Sequence, residues 1–255
     1  ADVSIGKRAL VAMCADNGVV EEGVTQTGQE VTAIVARNFL KGDTSACVMC
    51  RQCHTDVFPV DVGMVVDTEV PTDLKIAMGT RNMTKGPAMT KEEAVTALEA
   101  VIDMVVRLKE KGYNLLATGE MGIGNTTTSS AVASVLLDEP VEKMTGRGAG
   151  LSSEGLLRKI EAIHRAIEIN RPDPKDPVDV LAKVGGLDIA GMAGVFLGGA
   201  ALGVPVVIDG FISCVSALIA MRICPQAGDY MIASHVSKEP AAKLILEALG
   251  KEAVI

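Results

Sequence analysis

The sequence predicts an α/β fold: a Rossmann-like, mostly parallel sheet with helices on both faces, formed by residues 1–255 as a single large domain. Three observations carry that expectation. Apolar runs of strand length alternate with segments of helical periodicity along the whole chain. Two capping-box signatures, Thr27-Gly-Gln-Glu30 and Thr90-Lys-Glu-Glu93, mark helix starts. Polar and glycine residues gather where the apolar runs end, and ligands bind beyond the carboxyl ends of strands in such folds.

Taken in order, residues 8–15 read as a buried strand that stops at Asp16-Asn17-Gly18. The Thr27 box opens a helix to about residue 40, and 56–62 form the next strand, followed by Gly63. The Thr90 box opens a long helix stopped by Lys111-Gly112. Residues 114–118 are a strand ending in Gly119-Glu120, and 126–137 the next helix. A helix over 154–170 runs into the proline loop "NRPDPKDP". Helix 191–202, strand 204–208, Asp209-Gly210-Phe211, helix 213–223, strand 230–233, Ser234-His235 and helix 239–249 complete the alternation.

Composition excludes several function classes. The 255 residues are 48% hydrophobic and 22% charged, ordinary for a globular chain long enough to bury a large core. A net charge of −8 offers no basic excess to hold nucleic acid, and six aromatics without Trp offer no base-stacking platform. The longest apolar stretch, 191–207, is broken by glycines and Pro205 and reads as helix then strand, not as a membrane span. The opening residues Ala1-Asp-Val-Ser carry no secretory signature, and a cytoplasmic location is expected. Cys47, Cys50 and Cys53, with His54 adjacent, form C-x-x-C-x-x-C, a spacing open to metal or cluster ligation. The competing reading is a helical stripe of small, buried, reduced cysteines, because no fourth ligand stands at a familiar spacing.

The stretch "GEMGIGNTT" (119–127) carries the chemistry. It fits G-x-x-x-x-G-K-[ST] except that Asn125 replaces the lysine, and Glu120 sits inside it. Gly122 and Gly124 let backbone approach a ligand, Asn125 and Thr126 are placed to cap the following helix, and its free N–H groups suit an anion. A helix terminus contributes only about 0.3–1 kcal/mol, so a phosphate needs a cation as well; Lys159 and Arg147 are the nearest in sequence. Glu120 would repel a phosphate but stabilise a developing positive centre, by ~4 kcal/mol at about 4 Å and an effective dielectric of 20. A ligand with a phosphate at one end and a cationic ring or sugar at the other satisfies both. A kinase or ATPase would need the missing lysine and magnesium ligands. A capped acid at a strand end and a plain tight turn remain the bland alternatives.

Further segments complete the picture: "ADNGVVEEGV" (15–24), "QEVTA" (29–33), "GTRNMTKGPAMT" (79–90), "TGEMGIGNTT" (118–127), "KVGGLDIAGMAGV" (183–195), "PVVIDGFIS" (205–213) and "SHVSKEP" (234–240). In this order they resemble the nicotinate-nucleotide–dimethylbenzimidazole phosphoribosyltransferase family of cobamide biosynthesis, over nearly the whole chain. The resemblance implies transfer of 5-phosphoribose from nicotinate mononucleotide to a lower-ligand base. The products are the α-riboside 5′-phosphate and nicotinate, with inversion at the anomeric carbon and no cofactor or metal. It assigns Glu120 as the supporting carboxylate and Gly122, Asn125, Lys159, Asp209, Gly210 and Ser237 to the ribose-phosphate site, with Lys159 as the principal phosphate cation. Thr27, Val35 and Met121 border its base pocket; the apolar Val35 is compatible with a phenol or p-cresol acceptor as well as a benzimidazole. It further implies a homodimer, with a heterodimer with a paralogue as the other arrangement.

The chain departs from the family pattern at both ends. The family's Pro-Pro-Gly-Ser segment is not present, and its general base, a glutamate in Gly-Glu-Gly, belongs after "ALGKEAVI", beyond Ile255. Glu252 lacks the flanking glycines and is no substitute. The family's small extra domain is therefore expected to be missing, and the start at Ala1 favours loss of both ends over a naturally short, catalytically deficient, nucleotide-binding partner subunit.

Overall fold

The computed structural model describes residues 5–255, so the reading of the first four residues lies outside it. In chain order the elements are β1 (Arg8–Ala15), α1 (Glu30–Lys41), α2 (Ser45–Gln52), β2 (Thr55–Gly63), α3 (Lys91–Glu110), β3 (Leu115–Met121), α4 (Asn125–Leu137), α5 (Val141–Met144) and α6 (Ser153–Asn170). They continue as α7 (Pro177–Val184), α8 (Leu187–Leu202), β4 (Val206–Ile208), α9 (Phe211–Ile223), β5 (Met231–Ala233) and α10 (Ala242–Ala248). Two 3-10 segments, Gly18–Glu22 and Pro225–Tyr230, follow β1 and α9.

The five strands form one sheet in the order β2-β1-β3-β4-β5, and every described pairing is parallel. This is the predicted α/β class. Strand order reverses at β1, so a crevice opens between the carboxyl ends of β1 and β3, where doubly wound sheets bind ligands. Central β1 is buried from Val11 to Ala15, as a parallel strand covered on both faces must be. β2 is an edge, which is why it tolerates Pro59 within its ladder.

Strand alternation decides which side chains meet which helix. Met13 pairs with Glu120 and Cys14 with Met121. Met13 packs against Gly191 of α8, whereas Cys14 and Met121 cluster with Ala36 of α1. Glu120 therefore looks toward α8 and Met121 toward α1. α8 in turn packs on α3 with very little space. A Cβ at Gly194 would lie 2.8 Å from the Leu98 carbonyl oxygen and 2.9 Å from Val101 Cβ, and one at Gly198 would lie 2.9 Å from Val105 Cβ.

Three sequence expectations change. β3 extends through Met121, so Gly119 and Glu120 belong to the strand. The Thr27 box does not form: α1 begins at Glu30 after Gln29 without a side-chain cap, because Glu30 folds back over Gly28 and the Thr25 hydroxyl donates to the Thr27 carbonyl at 2.8 Å. The cysteine stripe does sit on a helix, but it runs outward. Cys47 is buried, Cys50 half-buried and Cys53 exposed beyond the last turn, and all three are free. By contrast the Thr90 box is complete, with the Glu93 N–H donating to Thr90 Oγ1 at 3.0 Å and the Thr90 N–H to Glu93 Oε2 at 2.6 Å. Among the described residues, no helix is long and apolar enough to cross a membrane.

The α3–α8 contact gives a stability test. Gly194→Val should lower the unfolding free energy by about 2–3 kcal/mol, since the added side chain meets backbone and a β-branched neighbour. The midpoint of urea denaturation reads this directly, and an unchanged midpoint would mean that the helices can part without cost.

Candidate active site

The β3–α4 turn builds the floor of the crevice. Gly124, at φ +94, is the N-cap of α4 and makes no side-chain cap bond. The backbone closes the turn itself: the Asn125 N–H donates to the Gly122 carbonyl at 3.0 Å and the Thr127 N–H to the Gly124 carbonyl at 2.9 Å. Asn125 and Thr126 thus do not cap the helix as expected, and two of its first amides are already engaged. Released from capping, the Asn125 side chain reaches back over the strand end. Its Nδ2 donates to Glu120 Oε2 at 2.5 Å and to Asp188 Oδ2 at 3.0 Å. Gly122 is required beneath it, because any Cβ there would collide with the Asp188 carboxylate.

Two carboxylates held on one amide nitrogen perturb each other. At about 4–5 Å and an effective dielectric of 20, like charges repel by roughly 3–4 kcal/mol. Burial, then the charges of Asp188 and Asp209, push Glu120 up to about 7, against the Asn125 hydrogen bond. Burial likewise raises Asp188 to about 6, opposed by Asn125, the Ile189 N–H and Asn17. Asp188 is fully buried and accepts the Ile189 N–H at 3.0 Å, at the start of α8, where the helix dipole favours the anion.

A second cluster lies behind Thr126. Lys159, on α6, has no exposed surface, and its Nζ donates to Thr126 Oγ1 at 2.8 Å and to the Gly146 carbonyl at 3.1 Å. Burial pulls its ammonium down to about 8, with Glu239 opposing. Glu239 Oε1 accepts the Gly148 N–H at 3.0 Å, while its buried Oε2 has no partner among the described residues. Ser237 Oγ accepts the Glu239 N–H at 3.3 Å. Lys159, expected as the principal phosphate cation, lies behind the wall of the crevice, its ammonium bound to the Gly146 carbonyl at the start of the glycine-rich 146–150 turn.

A third group holds the end of β4. The Asp209 N–H donates to Ser213 Oγ at 3.1 Å, Ser213 and Thr118 share a 2.6 Å hydroxyl contact, and Ser234 Oγ donates to the Asp209 carbonyl at 3.2 Å. Gly210 lies beside His235.

Of the residues singled out in the sequence, Thr27, Glu120, Met121, Gly122 and Asn125 line one cavity, joined by Arg147. Arg147 is held there by the Leu151 carbonyl at 2.6 Å and Ser153 Oγ at 3.0 Å. Val35, Lys159, Asp209, Gly210 and Ser237 fall outside that lining, although Lys159 touches it through Thr126 and Asp209 through its charge on Glu120. Ile255, after which the general base was expected, lies outside the lining as well. The backbone of this last residue is tied to the end of β5, its N–H donating to the Ser234 carbonyl at 2.9 Å, while its side chain is exposed. Sequence reasoning missed Asp188. Its signal was present: it is the only charged residue in the apolar stretch from Leu187 to Leu202.

Comparison with known proteins decides the family. A phosphoribosyltransferase family model matches residues 1–255. The nicotinate-nucleotide–dimethylbenzimidazole phosphoribosyltransferase of Ruminiclostridium cellulolyticum is 55% identical over 247 residues, covering 96% of this chain and 70% of the relative. That of Acetivibrio thermocellus is 51% identical, covering 98% and 72%. The crystal structure of CobT from Thermus thermophilus superposes with a TM-score of 0.94 at 40% identity, covering 99% of this chain and 76% of that one. The chain belongs to the nicotinate-nucleotide–dimethylbenzimidazole phosphoribosyltransferase family.

A phosphoribosyltransferase of the glycosyltransferase class is an enzyme, and its crevice carries groups that oppose folding. Lys159 is charged more easily unfolded than folded, so its cost is fully present below pH 8, shrinks as pH rises and is gone above about 10.5. That cost is on the order of 3 kcal/mol at neutral pH. Stability measured by denaturant should therefore climb from pH 8 to 10, and Lys159→Met should flatten the climb; an identical pH slope in the variant would place the ammonium in water.

Proposed function

We propose that this enzyme transfers 5-phosphoribose from nicotinate mononucleotide to a cobamide lower-ligand base, a benzimidazole or a phenol, giving the α-riboside 5′-phosphate and nicotinate. The observation that carries the reading is Glu120, a carboxylate held by Asn125 at 2.5 Å beside a glycine turn, in a cleft that Arg147 also lines and that Lys159 touches through Thr126. In the reaction the bond from C1′ to the pyridinium nitrogen breaks and its electron pair stays with nicotinate. The acceptor's lone pair bonds C1′ from the opposite face, and the acceptor's proton passes to a general base, which the family carries in its Gly-Glu-Gly segment. Between the two bonds the ribose is oxocarbenium-like, and an anion beside it lowers the barrier.

Glu120 is that anion in this reading. At about 4 Å and an effective dielectric of 20 it supplies ~4 kcal/mol, close to a thousandfold in rate. Gly122 and Asn125 shape the ribose pocket, and Asp209 and Gly210 border the sugar from β4. Lys159, Arg147 and Ser237 form the phosphate end. Lys159 has only one N–H left beyond its bonds to Thr126 and Gly146, and that donor is the one offered to phosphate. Thr27, Met121 and Val35 border the acceptor. The apolar character of Met121 and Val35 suits a planar ring without demanding a particular hydrogen bond, which supports a broad acceptor range. We further read residues 1–255 as one large domain acting in a homodimer. A cytoplasmic setting is supported by six free cysteines.

The full-length protein should release nicotinate from nicotinate mononucleotide when a benzimidazole, purine or phenol is supplied, with the α-riboside phosphate detected by mass. Release with no acceptor of any class would overturn the reading. Glu120→Gln should lower kcat by about 10²–10³ with KM for the mononucleotide changed less than about threefold. Lys159→Ala should instead raise that KM by about tenfold or more; the opposite division of effects would exchange the two roles.

A further inference from the structure

We propose that Asp188 is a positioning residue of this active site: through the Asn125 amide it fixes the Glu120 carboxylate against the crevice and shares a single proton with it. The proposal rests on the role given to Glu120 above and extends it to a residue that touches no substrate.

Three observations meet at this point. Asn125 Nδ2 has two N–H bonds, and both are spent on carboxylates, at 2.5 Å to Glu120 and 3.0 Å to Asp188. The two oxygens are therefore no further apart than these bonds together allow. Asp188 has no exposed surface and does not line the crevice, so its charge acts only through its neighbours. Gly122 lacks the Cβ that would displace it, so the turn that lines the pocket is cut to fit Asp188. An acid buried solely for packing would leave no reason for a ligand-facing amide to bind it.

The groups acting on Glu120 come from three places: Asp188 belongs to α8, Asp209 follows β4 and Asn125 starts α4. Cys14 of β1 lies on the other face of the sheet, its thiol pushed up to about 12 by burial and by nearby acids, and Arg147 lines the same cavity as Glu120. With two like charges on one amide, the pair titrates as a unit that keeps one proton between its members: burial raises both carboxyls, while Ile189 N–H, Asn17 and the α8 dipole favour the Asp188 anion. A cationic pyridinium riboside entering the crevice favours the fully ionised pair, and that proton leaves to solvent. The pair thus carries two negative charges beside a positively charged donor and only one beside an uncharged nucleoside. Asp188 is then a source of donor specificity as well as of geometry.

The test is a carbon-13 carboxyl NMR titration of the unliganded protein, with Glu120 assigned by Glu120→Gln. The unsubstituted chain should show Glu120 and Asp188 titrating as a coupled pair, in two steps above the ordinary carboxylate range. Asp188→Asn, which keeps shape and loses charge, should move the Glu120 midpoint down by about one pH unit or more, and the acidic limb of kcat/KM should move with it. A lone Glu120 transition in the ordinary range in the unsubstituted chain would overturn the proposal without any variant. So would a midpoint unmoved by Asp188→Asn. A merely structural role would lower activity equally at every pH. If the mononucleotide is not turned over at all, the carboxyl titration still decides the pair, and that failure belongs to the activity proposed above.

Discussion

One side-chain amide holds two carboxylates, one buried and one half-buried, and the crevice is arranged around that constraint. For Asn125 to reach Glu120 and Asp188 it cannot also cap α4, so Gly124 takes the left-handed cap position and the backbone closes the turn alone. For Asp188 to approach, residue 122 must lack a Cβ. For Glu120 to face α8 at all, β3 must continue through Met121 in register with Met13 and Cys14. An unpaired buried carboxylate would cost several kcal/mol; here the end of β3 and the starts of α4 and α8 keep both acids hydrogen-bonded.

Behind the crevice wall the same logic holds with the sign reversed. Lys159 is buried, and its ammonium is held by a hydroxyl and a carbonyl rather than by a formal ion pair. A cation that is not neutralised keeps its charge for a ligand. Glu239 is close enough to favour the protonated lysine, yet its own bond goes to the Gly148 N–H, on the glycine-rich turn above the lysine. The turn is thereby joined by hydrogen bonds to both the lysine and the 234–240 segment.

Likeness and geometry bear on different parts of the conclusion. Relatives at 55% and 51% identity, matched over nearly all of this chain and about seven-tenths of their own, establish the family. They say nothing of how Glu120 is held. That comes from Asn125, and from an acid in a helix whose sequence otherwise reads as plain apolar core.

Period and punctuation were legible in the residues themselves. Alternating apolar runs and helical stripes specify parallel strands with covering helices, since only such a sheet buries β1 on both faces, and Thr90 with Glu93 specifies a helix start because that box is closed within four residues. The glycine turn after β3 was visible for the same reason: its chemistry is local. Thr27 with Glu30 carries the same pattern and does not close, because Glu30 is drawn over Gly28 instead. Asn125 looked like a cap for as long as its only visible neighbours were those adjacent in the chain. Its real partner, Asp188, lies 63 residues away, and Lys159 stands 33 residues from the Thr126 hydroxyl it binds. Local hydrogen bonds and periodicity are properties of a segment, and the amino-acid order determines them alone. Burial of a charge and the convergence of distant side chains exist only once the helices pack on the sheet, so tertiary structure decided which acids share an amide and which lysine is hidden.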